Sequence, residues 1–276
     1  MTLSASAQDV RLIATDLDGT LLHNDKSISQ RTVAAIERAH RSGLQVVAAT
    51  GRYLASLPPV LATAGIDYAV TSNGAEGYRL GTKESLFVHP IATETVAAIL
   101  SYLAEHVPLA RCEVAIPGGY THFAQPGFTD LLTDFERHHF PIDYLELTDL
   151  EAIDQPLVKM AVRHPTLPPN VLSDAVLDSG IQGFHSTTSG APMVEISGAG
   201  ITKARGIARL AGFLGLEARQ VLSVGDAHND IEMLGWAGLG VAMANAVPEA
   251  LAAADHITAS NQEDGFAQLI DALLGS

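Results

Sequence analysis

Apolar runs alternate with amphipathic stretches along the amino-terminal part of the chain. Residues 10–15, 44–49 and 68–71 are short, mostly apolar runs, and each predicts a buried strand. Ser29 can cap a helix after the first strand, and a second helix is expected through residues 57–61. Strands that alternate with helices are typical of a parallel sheet covered by helices on both faces.

The pattern changes over residues 82–190. This stretch is richer in proline and histidine, and residues 114–123 have the character of a hairpin. From Met193 onward strands and helices alternate again. The sequence therefore predicts an α/β fold with a Rossmann-like parallel-sheet core, residues 1–81 and 191–276, and an inserted α+β domain, residues 82–190.

Composition supports a folded protein with a sizeable core. The chain has 276 residues, of which 47% are hydrophobic and 17% charged. That length suits one large domain with an insert, or two domains. No apolar run is long enough to span a membrane, and residues 1–10 lack the basic and apolar regions of a secretory signal. A cytoplasmic location is expected.

The formal net charge of −15 disfavours nucleic acid and anionic membranes as partners, because both require clustered lysine and arginine. The single cysteine, Cys112, fits a reducing compartment and is expected to be a small buried residue rather than a nucleophile. If the substrate is an anion, the site must be positive locally despite the acidic chain.

Two carboxylates, Asp16 and Asp18, follow the first predicted strand in a tight loop. A loop of this kind can aim both at one point, where their repulsion calls for a cation, and carboxylate oxygens suit Mg²⁺. An EF-hand loop is excluded, since it needs glutamate at its twelfth position and Ser27 stands there.

Further polar residues fall at strand ends or at a helix start. Thr50 with the N–H groups after it could form a small anion nest, and Lys203 begins a predicted helix. The segment Gly225–Asp230 places Asp226 and Asp230 beside the first pair if the strands are parallel. Each feature also has an ordinary interpretation: a β-branched strand end, a solvated lysine, and a turn with a helix cap.

Taken together and in order, these motifs resemble those of the haloacid dehalogenase superfamily, and within it the Cof-type (class IIB) phosphatases. Relatives commonly have glycine directly after the motif lysine, whereas here Ala204 follows and Gly206 comes later. The matching strings are Asp16-Leu17-Asp18-Gly19-Thr20, Thr50-Gly51-Arg52, Ser72-Asn73-Gly74-Ala75, Lys203, Gly225-Asp226-Ala227-His228-Asn229-Asp230, Met243-Ala244-Asn245-Ala246 and Glu263-Asp264-Gly265-Phe266.

The resemblance implies residue roles. Asp16 would be the nucleophile that forms an aspartyl phosphate, and Asp18 the general acid and base, with a second metal ligand as the alternative for Asp18. The implied Mg²⁺ set is Asp16, the Leu17 carbonyl, Asp18, Asp226 and Asp230. The implied phosphate-binding set is Thr50, Gly51, Lys203 and Asn229, and the possible substrate contacts are Arg52 and Asn73.

The function implied is a Mg²⁺-dependent phosphatase for a small phosphorylated metabolite, with sugar phosphates as the expected class. The alternatives are a phosphomutase on the same scaffold, or a non-catalytic phosphate-binding or metabolite-binding module. The insert would cap the site and set specificity, and a monomer or homodimer is expected. Four polar residues of the insert are candidates for substrate contact, although an ordinary surface position is favoured for each: Arg111, His122, Lys159 and Arg163.

Overall fold

The computed structural model of the protein describes residues 9–139 and 142–275. Residues 1–8, which form most of the stretch that bears on a secretory signal, lie outside this described part. Within the described ranges no helix combines the length and apolar character needed to cross a bilayer.

Strands and helices alternate along most of the chain. The strands are β1 Leu12–Thr15, β2 Gln45–Ala49, β3 Tyr68–Thr71, β4 Glu76–Arg79, β5 Glu84–Val88, β6 Arg111–Ala115, β7 His122–Ala124, β8 Tyr144–Glu146, β9 Lys159–Arg163, β10 Phe184–Thr187, β11 Val194–Gly198, β12 Val221–Gly225, β13 Leu239–Ala242 and β14 His256–Ile257. The α-helices are α1 Gln30–Arg41, α2 Val60–Thr63, α3 Thr93–His106, α4 Asp134–His139, α5 Pro169–Leu177, α6 Lys203–Phe213, α7 Ile231–Trp236, α8 Pro248–Ala253 and α9 Gly265–Leu274.

The first sheet has the parallel core that the sequence predicts. Among the described residues its order is β14-β13-β12-β1-β2-β3-β4-β5. The pairs from β14 to β3 are parallel, and β3 pairs antiparallel with β4. Because β1 lies between β2 and β12, the carboxyl ends of these three strands are neighbours at one edge, where open α/β sheets bind ligands.

The local sequence explains why α1 forms and why no single helix runs through residues 57–61. Ser29 caps α1, since its side chain accepts a hydrogen bond from Thr32 N at 3.0 Å. The second prediction was wrong: a short 3₁₀ turn at Leu54–Ser56 and the single turn of α2 replace one helix. Pro58 and Pro59 lie between them, and proline disfavours the helical conformation in the residue before it.

The second sheet is mixed, with the order β10-β11-β9-β6-β7-β8 among the described residues. Helices α3 and α5 share one apolar core with β6, β9 and β11. The sequence assigned residues from 191 onward to the parallel core, but β11 pairs antiparallel with both β9 and β10. An apolar strand pattern does not specify the partner strand, so this boundary was misplaced.

The described residues divide into two compact units. The first contains those up to Gly51, Pro58–Leu86 and those from Thr202 on. The second contains Arg52–Leu57 and Phe87–Ile201. The short segment Arg52–Leu57, which follows Gly51 in the chain, therefore belongs to the second unit.

Helix α6 approaches the turn at Ser72–Gly74 very closely within the first unit. A Cβ added at Gly206 would lie 2.5 Å from Val70 Cγ1 and 2.7 Å from Gly74 Cα. A Cβ at Gly74 would lie 2.1 Å from the carbonyl oxygen of Thr202. Only glycine at both positions allows this approach, which fixes the first turn of the helix that carries Lys203.

We expect Gly206→Ala to destabilise the protein by roughly 1–3 kcal/mol, because the added methyl group meets backbone atoms that cannot move aside. Gly212→Ala is the matched control in the same helix, since a Cβ there has no neighbour within 4 Å. The control should stabilise by roughly 0.5–1 kcal/mol through helix propensity. Urea unfolding midpoints of the two variants measure both effects, and equal shifts would contradict the close approach.

Candidate active site

Three carboxylates from distant parts of the chain meet at the edge of the parallel sheet. Asp16 follows β1, Asp226 follows β12, and Asp230 lies just before α7. One oxygen from each lies within 4.8 Å of the other two. Asp16 and Asp230 are buried, and Asp226 is partly buried. The prediction that these acids converge is confirmed by this geometry.

A single ammonium group bridges two of these acids. Lys203 Nζ donates to Asp16 Oδ1 and to Asp230 Oδ1, both at 2.6 Å. The Lys203 side chain is 1% exposed, so these contacts replace its hydration. Lys203 is the first residue of α6, whose cap is Thr202. The helix dipole disfavours a cation at this end, and the two carboxylates offset that cost.

The pKa values follow from burial and from the excess of negative charge. Burial raises the pKa of Asp16 well above its usual value, and repulsion from the other acids adds to this while Lys203 opposes it. Burial likewise raises the pKa of Asp226 to about 6. Burial alone would lower the pKa of Lys203, but Asp16 and Asp230 outweigh it and raise that pKa.

Asp230 is the most constrained of the three acids. Its Oδ2 accepts hydrogen bonds from the backbone N–H groups of Asp226 and Ala227, both at 2.9 Å, while its Oδ1 accepts from Lys203. A Cβ at Gly225 would lie 2.5 Å from Asp230 Cβ, so the strand end must be glycine. These contacts suit a residue that orients the loop carrying Asp226.

The loop after β1 is closed by its own backbone. The Leu17 carbonyl accepts from Leu22 N at 2.8 Å and from Thr20 N at 3.4 Å. Both lone pairs of that oxygen are used inside the loop, so the structure gives no support to Leu17 as a metal ligand. Thr20, to which the sequence assigned no role, donates its hydroxyl hydrogen to Asp226 Oδ1 at 2.6 Å.

Asp18 lies outside the group of three acids. Its Oδ1 is 2.7 Å from the Nζ atom of Lys26, with side chains 30% and 23% exposed. Lys26 was not among the residues predicted from the sequence. The one signal was its place in the turn-forming run Asn24-Asp25-Lys26-Ser27, which returns the chain toward the motif.

A second group of predicted residues lies beside β2 and β3. Thr50 is buried, and its carbonyl accepts from Asn73 N at 3.0 Å. Asn73 has a φ of 55°, in the left-handed region, and its Oδ1 accepts from Asn229 Nδ2 at 2.9 Å. Asn229 Oδ1 is buried without a hydrogen-bond partner among the described residues. Thr50, Asn73 and Asn229 are therefore joined in one network.

The four candidates for substrate contact predicted in the insert lie in the second unit. A surface position was expected for each, and for three of them this expectation was wrong. His122, Lys159 and Arg163 are at most 3% exposed, whereas Arg111 is partly exposed. His122 Nδ1 contacts Glu113 Oε2 at 2.8 Å, and Lys159 pairs with Glu195.

Two more contacts belong to that unit. Tyr53 stacks edge-on against His122 with ring centroids 4.4 Å apart, and Arg163 pairs with Glu136. Arg52 donates to the Ser56 carbonyl at 3.2 Å. Cys112 is buried, and burial raises the pKa of its thiol, which suits a core residue.

Comparison with known proteins identifies a single family. A family model described as haloacid dehalogenase-like hydrolase matches residues 13–270. The chain is 28% identical over 273 residues to the 5-amino-6-(5-phospho-D-ribitylamino)uracil phosphatase YcsE of Bacillus subtilis (strain 168), covering 98% of both chains. It is similar to the solved structure of the HAD subclass IIB sugar phosphatase BT4131, with a TM-score of 0.81, 25% identity, and 95% of this chain and 98% of that chain covered. SMU.1108c from Streptococcus mutans UA159 shares the fold, with a TM-score of 0.84, 24% identity, and 97% and 100% of the two chains covered.

We expect Mg²⁺ to raise the thermal stability of the protein, and to do so less in acid. A cation bound only to the folded state stabilises it by about 2.7 kcal/mol at ~100 times its dissociation constant. At pH 5, one unit below the Asp226 pKa of about 6, protons should weaken binding roughly tenfold and remove about 1.4 kcal/mol of that effect. Melting temperatures with and without Mg²⁺ at pH 7.5 and pH 5 measure it.

Without a cation, the Asp226 carboxyl group has the opposite effect, and its contribution to folding stability is larger at low pH. A carboxyl whose pKa is raised on folding favours the folded state at low pH, and that contribution is lost as pH rises toward 6.

Thr20→Val removes a hydrogen bond that lowers the Asp226 pKa, so its Mg²⁺ effect should fade at a higher pH than in the wild type. Asp226→Asn should abolish the Mg²⁺ effect, and a normal response there would contradict the assignment.

Proposed function

The chain belongs to the haloacid dehalogenase-like hydrolases and is a phosphatase, and we propose that it hydrolyses small sugar phosphates with Mg²⁺ through an aspartyl-phosphate intermediate. The proposal rests on one observation above all: Asp16, Asp226, Asp230 and Lys203 form a single buried cluster. The family supplies the reaction class, and the cluster supplies the groups that the reaction needs.

The charges of this cluster fit a divalent cation. Three carboxylates face one ammonium group, which leaves a formal excess of two negative charges. One Mg²⁺ would balance that excess, and carboxylate oxygens are the ligands it prefers. Asp16 and Asp226 would hold the ion, and Asp230 would keep the Asp226 loop in place. The ion would neutralise charge on phosphoryl oxygens when bound.

Asp16 would act as the nucleophile. One of its carboxylate oxygens attacks phosphorus, the bond from phosphorus to the ester oxygen breaks, and Asp18 gives a proton to the departing alkoxide. Asp18 then takes a proton from a water molecule, whose oxygen attacks the aspartyl phosphate and releases inorganic phosphate and the Asp16 carboxylate. Two displacements replace one, and Asp18 serves as the acid in the first and as the base in the second.

Phosphoryl oxygens need donors during both displacements. The Lys203 ammonium already contacts Asp16, and the Thr50 hydroxyl with the N–H groups after it would form a second donor set. Rotation of both amides in the Asn73–Asn229 pair preserves their hydrogen bond and replaces the orphaned Asn229 oxygen with an N–H donor. We assign Asn229 to phosphate binding on this ground.

The substrate class is inferred from what related proteins act on. BT4131 is a sugar phosphatase, and YcsE acts on a phosphate ester of a ribityl chain. The substrates of both proteins carry the phosphate on a hydroxylated carbon chain. We propose a substrate of this kind, with the second unit as the source of specificity.

Asp16→Asn should abolish turnover, since an amide cannot attack phosphorus, and kcat should fall more than ~10³-fold. Asp174→Asn, on the exposed side of α5, is the matched control and should retain full activity. Turnover of p-nitrophenyl phosphate with Mg²⁺ is the assay. Mass spectrometry of acid-quenched wild type should locate a phosphoryl group on the Asp16 peptide, and a phosphoryl group elsewhere would refute this nucleophile.

Hexose and pentitol phosphates should show kcat/KM values at least ~10-fold above those of phosphoserine and of simple alkyl phosphates, because a site that hydrogen-bonds hydroxyl groups discriminates strongly against substrates without them. A panel of phosphorylated metabolites, assayed by phosphate release, tests this. Equal rates across all classes would remove the assignment to sugar phosphates while leaving the phosphatase intact.

A further inference from the structure

The carboxylate expected to transfer protons is held by a lysine that the reaction itself does not use. Lys26 Nζ lies 2.7 Å from Asp18 Oδ1, and both residues belong to the first unit. The two side chains are 23% and 30% exposed, so solvent reaches the pair and a substrate could reach Asp18.

The turn that presents Lys26 has an unusual backbone. His23 N donates to the Ser27 carbonyl, and Lys26 N donates to the His23 carbonyl, both at 2.9 Å. Lys26 has a φ of 67°, in the left-handed region that disfavours residues with a Cβ. Asp25 Oδ1 accepts from Ser27 N at 2.9 Å and closes the turn. The chain therefore keeps lysine where glycine or asparagine would fit more easily.

Distant segments hold this loop in place. Asn245 Nδ2 donates to the Gly19 carbonyl at 2.8 Å, and Asn261 Nδ2 donates to the Leu22 carbonyl at 2.9 Å. Asp264 Oδ1 contacts His23 Nε2 at 3.2 Å. Asn245 and Asp264 belong to two of the family strings to which the reaction gives no role. Asn245 and Asn261 hold the backbone on the amino-terminal side of Lys26, and Asp264 contacts the side chain of His23.

Stability does not account for this arrangement. A partly exposed ion pair is screened by water and contributes little, and it does not require a left-handed lysine. Strained residues persist where the surrounding structure determines them, and they cluster at functional sites. The partner of this lysine is Asp18, which points to a role in the reaction.

We propose that Lys26 is the positioning residue for Asp18, an inference that rests on the proposed phosphatase reaction. An ammonium group has donors only, so the Asp18 Oδ1 atom must accept its hydrogen bond. The other oxygen, Oδ2, is then the one that gives the proton to the leaving alkoxide. Lys26 thus fixes which oxygen faces the substrate and keeps the carboxyl group from rotating.

This role has a kinetic consequence that a merely structural role lacks. The ratio kcat/KM reports the steps through the departure of the alcohol, in which Asp18 donates its proton. An alkoxide leaving group needs that proton, whereas p-nitrophenolate leaves readily without one. Misplacement of Asp18 should therefore affect an alkyl phosphate much more than an aryl phosphate.

The experiment compares Lys26→Asn with Lys26→Arg on two substrates, glucose 6-phosphate or the best alkyl phosphate found, and p-nitrophenyl phosphate. Asparagine tolerates the left-handed backbone but lacks the ammonium group, and arginine keeps a charged donor. Lys83→Asn is the matched control, because Lys83 also has a positive φ, 55°, in an exposed turn of the first unit. Melting temperatures confirm that each variant is folded.

Lys26→Asn should lower kcat/KM at least ~10-fold for the alkyl phosphate and less than ~3-fold for the aryl phosphate. Lys26→Arg should recover most of the alkyl activity, and Lys83→Asn should change neither value. Equal losses on both substrates, or no loss on either, would overturn the role of Lys26 while leaving the phosphatase reaction standing. A wild type that hydrolyses no monoester would overturn the reaction itself, and the assignment of Lys26 with it.

Discussion

The site depends on the contact of one buried ammonium group with two buried carboxylates. Asp16, Asp226 and Asp230 could not share so small a volume without a cation, because like charges repel strongly where water is excluded. Lys203 supplies part of the compensation from the first turn of α6. That helix can begin at this point only because Gly206 lets it approach the neighbouring turn. The chemistry of the sheet edge is therefore linked to backbone packing behind it.

Much of the parallel core could be predicted because its signals are local and periodic. Apolar runs mark β1, β2 and β12, and the rule that parallel strands share their carboxyl edge brings Asp16 next to Asp226. Membership of β11 in the second sheet could not be predicted, since pairing between distant strands leaves no local trace. The family match confirms the resemblance that the ordered motifs suggested.

Contacts that depend on the geometry of a turn could not be predicted from the sequence. Lys26 contacts Asp18 from a turn in which its own backbone is left-handed, a conformation that lysine rarely takes. The same limit applies to Thr20: the motif includes this residue, but only the folded structure shows that its hydroxyl group donates to Asp226. The burial of a charged side chain in a strand is equally difficult to predict. A charged residue on a strand ordinarily indicates a solvent-facing position, yet Lys159 is buried.

Charge balance distinguishes the two buried polar clusters of this protein. In the second unit Lys159 pairs with Glu195, and Arg163 pairs with Glu136. In each of these pairs one positive charge balances one negative charge, so the pair calls for no further ion. At the edge of the parallel sheet the acids outnumber the lysine, and the raised pKa of Asp226 is the direct result of that burial and excess. A buried cluster with an uncompensated charge is stable only with a proton or a metal ion, and this requirement is what marks it as the place where an anionic substrate and a cation can meet.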